Sequence, residues 1–213
     1  MSYRYRILTK GGNGRWEDRK SVFISEIFSA KTENDAALRI AEIRKQYWDA
    51  RHHCFAYICA DAVKQSDDGE PSLTAGKPMM DILRANDLRN VCAVVTRYFG
   101  GVLLGTGGLV RAYQGAVKEA LNKCSMAEVH DGAFYSCSID YSQYSYFQHL
   151  TDSGDIYIIG TDFTDRISIS FITDRENAGR LEKNISGYGN GRILLPEPEI
   201  RDFYHSGGQT VIV

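Results

Sequence analysis

A strand that runs into five closely spaced glycines constrains the fold of this chain more than any other stretch. Val91–Val95 is apolar throughout, which is typical of a strand buried on both faces. Residues 109–124 then place apolar side chains at helical spacing. Glycine permits tight turns and close backbone approach. The pattern therefore predicts a strand, a tight turn and a helix that lies close on the sheet. The glycines are Gly100, Gly101, Gly105, Gly107 and Gly108.

The glycine-rich turn does not match the common phosphate-binding motifs. Gly105 is followed by Thr106-Gly107, so the Lys-Ser/Thr pair of a Walker loop is missing, and the third glycine of a dinucleotide fingerprint is also missing. Two interpretations remain open. The favoured one is a tight turn with close helix packing, and the other is an anion site at the helix start, where free N–H groups converge.

An acidic turn precedes the buried strand and supplies three carboxylates in four residues, Asp67, Asp68 and Glu70. Such a cluster suits Mg²⁺ binding or acid–base chemistry. The favoured interpretation is instead ion pairing with basic side chains of the same stretch, Lys77, Arg97 and Arg111. It predicts that Asp68 or Glu70 lies within ion-pair reach of Arg97 or Arg111.

Histidine and cysteine occur together at His52, His53, Cys54 and Cys59, a set of residue types that suits zinc. Adjacent strand residues point to opposite faces, so this spacing argues against a metal site and against a Cys–His nucleophile pair. The chain has five cysteines in apolar contexts, which predicts free thiols in a reducing compartment. No metal, cofactor or catalytic residue is predicted.

Four segments together resemble a known family. SDDGEPS-x-TAG-x-P spans residues 66–78 and RYFGG-x-x-LG-x-GGL-x-RAY spans residues 97–113. Residues 50–57 resemble an ARHxCxAY strand, and residues 19–24 resemble a KSxFI segment. With these motifs the chain resembles the YigZ/IMPACT family, closely over residues 1–125 and more loosely beyond. Leu73 stands where the family usually has glycine, and Leu103 where lysine is common.

The resemblance implies the fold class α+β with two domains. Residues 1–128 would form an IMPACT-type domain with a ribosomal-protein-S5 domain-2-like fold, which is also found in RNase PH and in part of elongation factor G. Residues 129–213 would form a ferredoxin-like domain similar to domain V of elongation factor G. The double motif of residues 66–113 would form one contiguous surface.

The residue pattern predicts the elements of the first domain. Residues 3–28 read as two strands joined by a glycine loop at residues 10–14. A helix begins after Thr32, which forms a capping box with Asp35, and helices also follow residue 75 and the glycine-rich turn. Strands are predicted at 54–60 and 91–97. Their alternation with helices predicts a sheet with its helices on one side.

The second domain is predicted to follow a short polar linker, Ser125–Asp131. Its pattern reads β-α-β-β-α-β, the split βαβ order. Thr173–Glu176 resembles a capping box before a helix that buries Leu181 and Ile185. A last strand is predicted at Arg192–Leu195, with a possible edge strand in the tail 203–213.

Composition limits the classes of function. The 25 basic and 27 acidic residues give a net charge of −2, which excludes broad electrostatic attraction to nucleic acid but leaves room for a local basic patch. No apolar run approaches 20 residues, and the first residues lack the pattern of a signal peptide. The chain is therefore expected to be cytoplasmic, with no membrane partner.

The resemblance implies a non-catalytic regulator associated with the translation machinery, because eukaryotic relatives modulate translational control by binding a partner protein. Its expected partners are the ribosome, RNA or a translation-associated protein. A second hypothesis is RNA or single-stranded nucleic-acid binding, in which Tyr98 and Phe99 would stack on bases. The favoured interpretation of these two aromatic residues is that they close the core at the end of the strand. The alternative is an enzyme that acts on a phosphorylated or nucleotide ligand at the glycine loop. We call the candidate residues the motif surface: Arg51, Asp67, Asp68, Glu70, Lys77, Arg97, Tyr98, Gly100, Gly101, Gly105, Gly107, Gly108 and Arg111.

Overall fold

The computed structural model of the chain describes residues 3–188 and 193–213, which form two units of mixed helix and strand. The N-terminal unit comprises Tyr5–Ala127, and the C-terminal unit comprises the described residues of Glu128–Val213 together with Tyr3 and Arg4. The mixed α/β composition and the two-unit organisation agree with the fold class predicted from the sequence.

The N-terminal unit is built on one antiparallel sheet. Its elements are β1 (Tyr5–Lys10), β2 (Gly12–Asp18), β3 (Ser21–Ser29), α1 (Glu33–Gln46), β4 (His52–Ile58), β5 (Val63–Ser66), α2 (Gly76–Ala85), β6 (Val91–Tyr98) and α3 (Gly105–Leu121). The strand order in the sheet is β2-β3-β6-β4-β5, and β1 is not part of this sheet. Strand β6 therefore lies at the centre, which fits its continuous apolar sequence.

Helices cover both faces of this sheet, so the prediction of helices on one side is wrong. Side chains of β6 alternate between two clusters: Val91, Ala93 and Val95 pack with α2 and α3, whereas Cys92 and Val94 pack with α1. Helix α1 begins with the predicted capping box: Thr32 accepts from the N–H of Asp35, whose carboxylate accepts from the N–H of Thr32. That start is confirmed.

Residues 3–28 contain three strands rather than two, and the predicted glycine loop at residues 10–14 is wrong. Gly12 and Gly14 lie within β2, directly under α3. A Cβ atom on Gly14 would approach the backbone nitrogen of Ala120 to 2.5 Å. Glycine is needed here because a helix backbone lies against a strand backbone, which is the close approach that only glycine permits.

The C-terminal unit also carries one antiparallel sheet. Its elements are β7 (Ser125–Ile139), α4 (Tyr144–Asp152), β8 (Tyr157–Phe163), β9 (Ile167–Asp174), α5 (Ala178–Tyr188), β10 (Glu199–Ser206) and β11 (Gln209–Ile212). The strand order is β11-β10-β7-β9-β8, with α4 and α5 packed on one face around Phe147, Phe171 and Leu181. The first five elements follow the predicted order β-α-β-β-α, two strands follow α5, and β11 is the edge strand expected in the tail.

Three predictions for this part of the chain are wrong. Residues 125–131 form the first half of β7 and not a linker. Thr173 does not take part in a capping box, because its hydroxyl donates to the carbonyl of Asp155, 2.8 Å away. Of the predicted strand Arg192–Leu195, Arg192 lies outside the described residues and residues 193–195 belong to no strand, because β10 begins at Glu199.

Candidate functional site

The acidic turn holds the start of α2 through Asp67. One carboxylate oxygen accepts hydrogen bonds from the N–H groups of Ala75 (2.9 Å) and Gly76 (2.8 Å), and the other accepts from the N–H of Leu73 (2.8 Å). A carboxylate at a helix N-terminus satisfies N–H groups that lack partners within the helix and interacts favourably with the helix dipole. Asp67 therefore caps α2 from eight residues upstream.

Asp68 ties the same turn to the start of β4. Its carboxylate accepts from the N–H of His53 (2.7 Å) and from the guanidinium of Arg44 (2.6 Å). Its carbonyl oxygen lies 2.9 Å from Nδ1 of His52. Asp68 has a φ of 43°, a left-handed conformation that aspartate tolerates better than most residues.

Glu70 is buried and makes the central ion pair of the site. Nη1 of Arg97 lies 2.6 Å from Oε1 and 2.9 Å from Oε2 of Glu70, and the hydroxyl of Tyr113 donates to Oε1 over 2.8 Å. The guanidinium lies 5.4 and 5.6 Å from the ring centres of Phe23 and Phe99. The predicted pairing of the turn with Arg97 is confirmed, with Glu70 as its partner.

The other two basic residues of the predicted ion-pair set do not contact the turn. Lys77 pairs with Asp81, one helical turn along α2, at 2.8 Å. Arg111 is exposed on α3 and makes no ion pair with any residue that the structure describes. Of the three basic residues in that set, only Arg97 is paired with the acidic turn.

The cysteine and histidines beside the turn are not arranged for nucleophilic catalysis. Cys54 faces the cluster under α2 and α3, whereas Nε2 of His53 lies 3.1 Å from the carbonyl oxygen of Tyr47. Burial raises the pKa of the Cys54 thiol far above its ordinary value, and burial lowers the pKa of His53. A protonated thiol without an adjacent base is a poor nucleophile. Within 3–188 and 193–213, no group of three or more His, Cys, Asp or Glu side chains is placed to hold a metal ion.

The glycine-rich turn packs against the turn between β2 and β3. The N–H of Gly100 donates to the hydroxyl of Ser21 (3.1 Å), and a Cβ on Gly100 would lie 2.1 Å from the carbonyl carbon of Lys20. The guanidinium of Arg19 donates to the carbonyl oxygen of Leu103 over 3.3 Å. The glycine at position 100 thus serves close backbone packing, as the favoured interpretation of the glycines requires.

Arg97 belongs to the motif surface named from the sequence, but it is not an exposed basic residue. Its side chain is only 7% exposed and its charge is engaged by Glu70. Tyr98 is half-buried and donates its hydroxyl to Asp49, so only Phe99 of the proposed stacking pair is substantially exposed. Arg51 is exposed at the start of β4, and the helix start at Gly105 and Gly107 is also exposed.

The apolar character of this region was not predicted from the sequence. Phe99, Val102 and Leu103 are 52%, 44% and 81% exposed on the turn that packs beside Arg19 and Lys20. Exposed apolar side chains gathered at one place are typical of binding surfaces. The signal was present at Leu103, which replaces a lysine usual in the resembled family. We call the exposed apolar and basic residues here the loop surface: Arg19, Lys20, Phe99, Val102, Leu103 and Arg111.

Leu73 also departs from the resembled motif, and the structure shows what the usual glycine would do there. Leu73 has a φ of 65°, in the left-handed region that favours glycine. Its side chain is 59% exposed and its N–H is held by Asp67. A leucine at this position therefore holds the acidic turn in a strained backbone conformation.

No helix in the described ranges is long and apolar enough to cross a membrane.

Comparison with known proteins gives a consistent result over nearly the whole chain. The model of the Impact N-terminal domain matches residues 19–121. IMPACT family member YvyE of Bacillus subtilis is 32% identical over 203 residues, covering 94% of each chain. IMPACT family member YigZ of Escherichia coli is 33% identical and covers 84% of this chain and 90% of its own.

A solved structure shares the fold. The crystal structure of a hypothetical protein, 29% identical in sequence, superposes with a TM-score of 0.58 and covers 93% of this chain and 99% of its own. The similarity thus extends across both units and is not confined to the residues of the N-terminal domain model.

Proposed function

Because the chain belongs to the IMPACT family, we propose that it is a non-catalytic regulator associated with the translation machinery and acts by binding. The family resemblance implies this role, since eukaryotic relatives modulate translational control through a partner protein. The proposal places the protein in the cytoplasm, with the ribosome, RNA or a translation-associated protein as its partner.

One observation carries the choice of binding over catalysis: the carboxylates of the motif surface are already bound to the protein itself. The Asp67 carboxylate accepts hydrogen bonds from three backbone N–H groups. The Asp68 carboxylate accepts from the guanidinium of Arg44 and the N–H of His53, and the Glu70 carboxylate accepts from the guanidinium of Arg97 and the hydroxyl of Tyr113. A general acid or base must be free to reach a substrate proton. These carboxylates hold the turn, so the alternative of an enzyme is not favoured.

The loop surface is the part of the molecule that we propose contacts the partner. Its apolar residues project from a turn that is anchored on Ser21 and Arg19, so they are presented on a rigid support. Arg19, Lys20 and Arg111 supply positive charge beside them and make no ion pair with any described residue. Apolar anchors surrounded by basic residues suit an anionic partner with exposed apolar or aromatic groups.

The test separates RNA from protein as the partner. Fluorescence anisotropy of a short single-stranded RNA is measured at two salt concentrations for wild type and for Arg19→Glu with Arg111→Glu. Phosphates neutralised by basic side chains release counterions, so the affinity for RNA falls as the salt concentration rises. Loss of two phosphate contacts should reduce the steepness of log affinity against log salt concentration by about 1.4. The matched control, Lys45→Glu with Lys183→Glu, changes the net charge equally at exposed sites elsewhere.

A second measurement addresses a protein partner. Tagged wild type and Leu103→Glu are used to isolate ribosomes and translation factors from lysate, with and without nuclease. A translation-associated protein that wild type retains after nuclease treatment, and that Leu103→Glu loses, supports a protein partner. If wild type binds neither RNA at low salt nor any component of the translation machinery, the proposed function is wrong.

A further inference from the structure

A groove of about 410 Å³ lies between strand β5 and helix α2, away from the loop surface. Strand β5 is the edge of the sheet, and Val63, Lys64 and Gln65 line one wall of the groove. All three are exposed, and Val63 is 55% exposed. Edge strands present unpaired backbone groups to which another chain can add.

The hydrogen-bond pattern shows which backbone groups are free. The N–H of Cys59 donates to the carbonyl of Ala62, so residues 59 and 62 form a hydrogen-bonded pair. Such pairs alternate along an antiparallel ladder. In the register of β4 and β5, Lys64 therefore bonds to Tyr57, whereas the N–H and C=O groups of Val63 and Gln65 point away from β4. Neither residue has another hydrogen-bond partner among the described residues.

Helix α2 supplies the other wall with a stripe at positions i, i+3, i+4 and i+7. The stripe consists of Lys77, Met80, Asp81 and Arg84. Met80 is 3% exposed and forms an apolar base, while the charged members stand at the rim. With Lys64 on the strand, the groove carries three basic side chains and one acidic side chain. Its net positive charge selects an acidic occupant.

The existing ion pairs of the groove can be exchanged at small cost. Lys77 and Asp81 are each about half exposed, and Lys64 lies 3.6 Å from Glu33 with both side chains about half exposed. Exposed ion pairs contribute little to stability, because water screens both charges and the two side chains lose freedom when they pair. A second copy of β5 would bring another Lys64 and Arg84 against the first, so like charges disfavour self-pairing.

We propose that β5 and the groove beside α2 bind an extended, acidic segment of a partner protein by strand addition. The segment pairs its backbone with Val63 and Gln65 and directs alternate acidic side chains toward Lys77 and Arg84. In this mode the backbone hydrogen bonds supply affinity and the alternate side chains supply specificity. This surface is independent of the loop surface and of the role proposed above.

The probe is a blocked hexapeptide of alternating valine and glutamate, titrated into the isotopically labelled full chain and followed by backbone amide NMR. The largest shifts are expected at the amides of Val63 and Gln65. Two control peptides have matched length: one replaces glutamate with lysine, and the other is N-methylated at two consecutive central residues, so that each edge loses a donor. We expect the N-methylated peptide to bind at least about fivefold more weakly.

Variants of the protein test the same geometry. Gln65→Pro removes an N–H that points away from β4, so the sheet keeps its hydrogen bonds while the edge loses a donor. Arg84→Glu reverses one rim charge, and Lys118→Glu makes the same change of charge on α3, near the opposite edge of the sheet. Weaker binding is expected for Gln65→Pro and Arg84→Glu, and unchanged binding for Lys118→Glu.

Three outcomes would overturn the proposal: no saturable shift with the acidic peptide, shifts centred outside β5 and α2, or equal affinity for the N-methylated and unmodified peptides. If Gln65→Pro does not fold, the N-methylated peptide still tests the backbone pairing on wild-type protein. Binding of the lysine peptide as tightly as the glutamate peptide would contradict the charge selection.

Discussion

Arg97 and Glu70 form an ion pair across 27 residues of sequence, with Nη1 2.6 Å from Oε1 and side chains that are 7% and 3% exposed. The pair joins the end of β6 to the acidic turn, and Tyr113 connects both to α3 by donating to Glu70. Buried charges are tolerated only when paired and hydrogen-bonded. The two motifs of the family are therefore held together at Glu70, by the ion pair with Arg97 and by the hydrogen bond from Tyr113.

Arg97→Ala is expected to destabilise the protein strongly, because it leaves the Glu70 carboxylate buried without its partner. Breaking a buried pair on one side costs about 3–5 kcal/mol. Urea unfolding at pH 7 measures the free energy of unfolding. The matched control is Arg44→Ala, which breaks the more exposed pair with Asp68 and should cost no more than about 1 kcal/mol. Equal losses for the two variants would contradict a structural role of the buried pair.

Leu73→Gly is expected to stabilise the protein. Leu73 has a φ of 65°, and a residue with a Cβ in the left-handed region costs about 1–2 kcal/mol. Because the side chain is 59% exposed, little apolar burial is lost. The free energy of unfolding should rise by about 1 kcal/mol, a little less than the strain because glycine gains entropy in the unfolded chain. Leu73→Ala keeps the strain and should not stabilise. A Leu73→Gly variant with no advantage over Leu73→Ala would show that the turn relaxes around leucine.

The buried thiol of Cys92 predicts a loss of stability at alkaline pH. Burial raises its pKa above the ordinary value of 9.0, so the folded state retains a proton that the unfolded state releases. This contribution is fully present below about pH 9 and is lost as the pH rises toward the pKa of the folded state. Each such group lowers the free energy of unfolding by about 1.4 kcal/mol per pH unit in that window.

Urea unfolding of wild type and Cys92→Ala between pH 7 and pH 10.5 checks this dependence. At pH 7 the Cys92 thiol is protonated in both the folded and the unfolded wild type. The free energies of unfolding of the two proteins then differ only by the packing lost at the buried site. Above pH 9 the free energy of unfolding of Cys92→Ala should fall less steeply with pH than that of wild type. The slopes should differ by about 1.4 kcal/mol per pH unit, which corresponds to one proton. Parallel curves throughout would mean that Cys92 does not titrate on unfolding as its burial requires.

The sequence predicts the elements best where apolar periodicity and local capping agree. Helix α1 is an example, because Ala36, Ile40 and Ile43 form its buried face and the Thr32 capping box marks its start. Strand β6 is another example, because a short, continuous apolar run between polar flanks is typical of a strand at the centre of a sheet. In both cases the information lies within about fifteen residues of sequence.

The elements that were missed depend on contacts between distant residues. Strand β5 is exposed at residues 63–65 and half-buried at residue 66, so its sequence carries no apolar alternation and only pairing with β4 defines it. Both apolar faces of the sheet read alike in sequence, so the position of α1 opposite α2 and α3 was not predictable. The burial of Arg97 was not predicted, because arginine rarely lies buried without a partner and its partner is 27 residues away in sequence.

The contacts of the candidate site were likewise predictable from the sequence only in part. The sequence predicted that the acidic turn pairs with a basic residue of the second motif, and it proposed Asp68 or Glu70 as equivalent partners. The backbone of the turn separates them: the left-handed conformation of Asp68 directs its carboxylate to His53 and Arg44, and leaves Glu70 for Arg97. Such a choice depends on dihedral angles that composition does not specify.

Gly100, in the glycine-rich turn, and Gly107, in helix α3, should respond oppositely to alanine. A Cβ on Gly100 would lie 2.1 Å from the Lys20 carbonyl carbon, so Gly100→Ala must displace the backbone and should cost more than about 2 kcal/mol. At Gly107, in the first turn of α3, the nearest atom is Nη1 of Arg111 at 3.6 Å, so alanine fits and should stabilise by about 0.5–1 kcal/mol through its higher helix propensity. Thermal unfolding of both variants shows whether each is less or more stable than wild type. A Gly100→Ala variant as stable as wild type would contradict the packing role assigned to that glycine. The same variants also test binding. If Gly107→Ala leaves RNA or partner binding unchanged while Leu103→Glu abolishes it, the partner contacts the apolar loop and not the helix start.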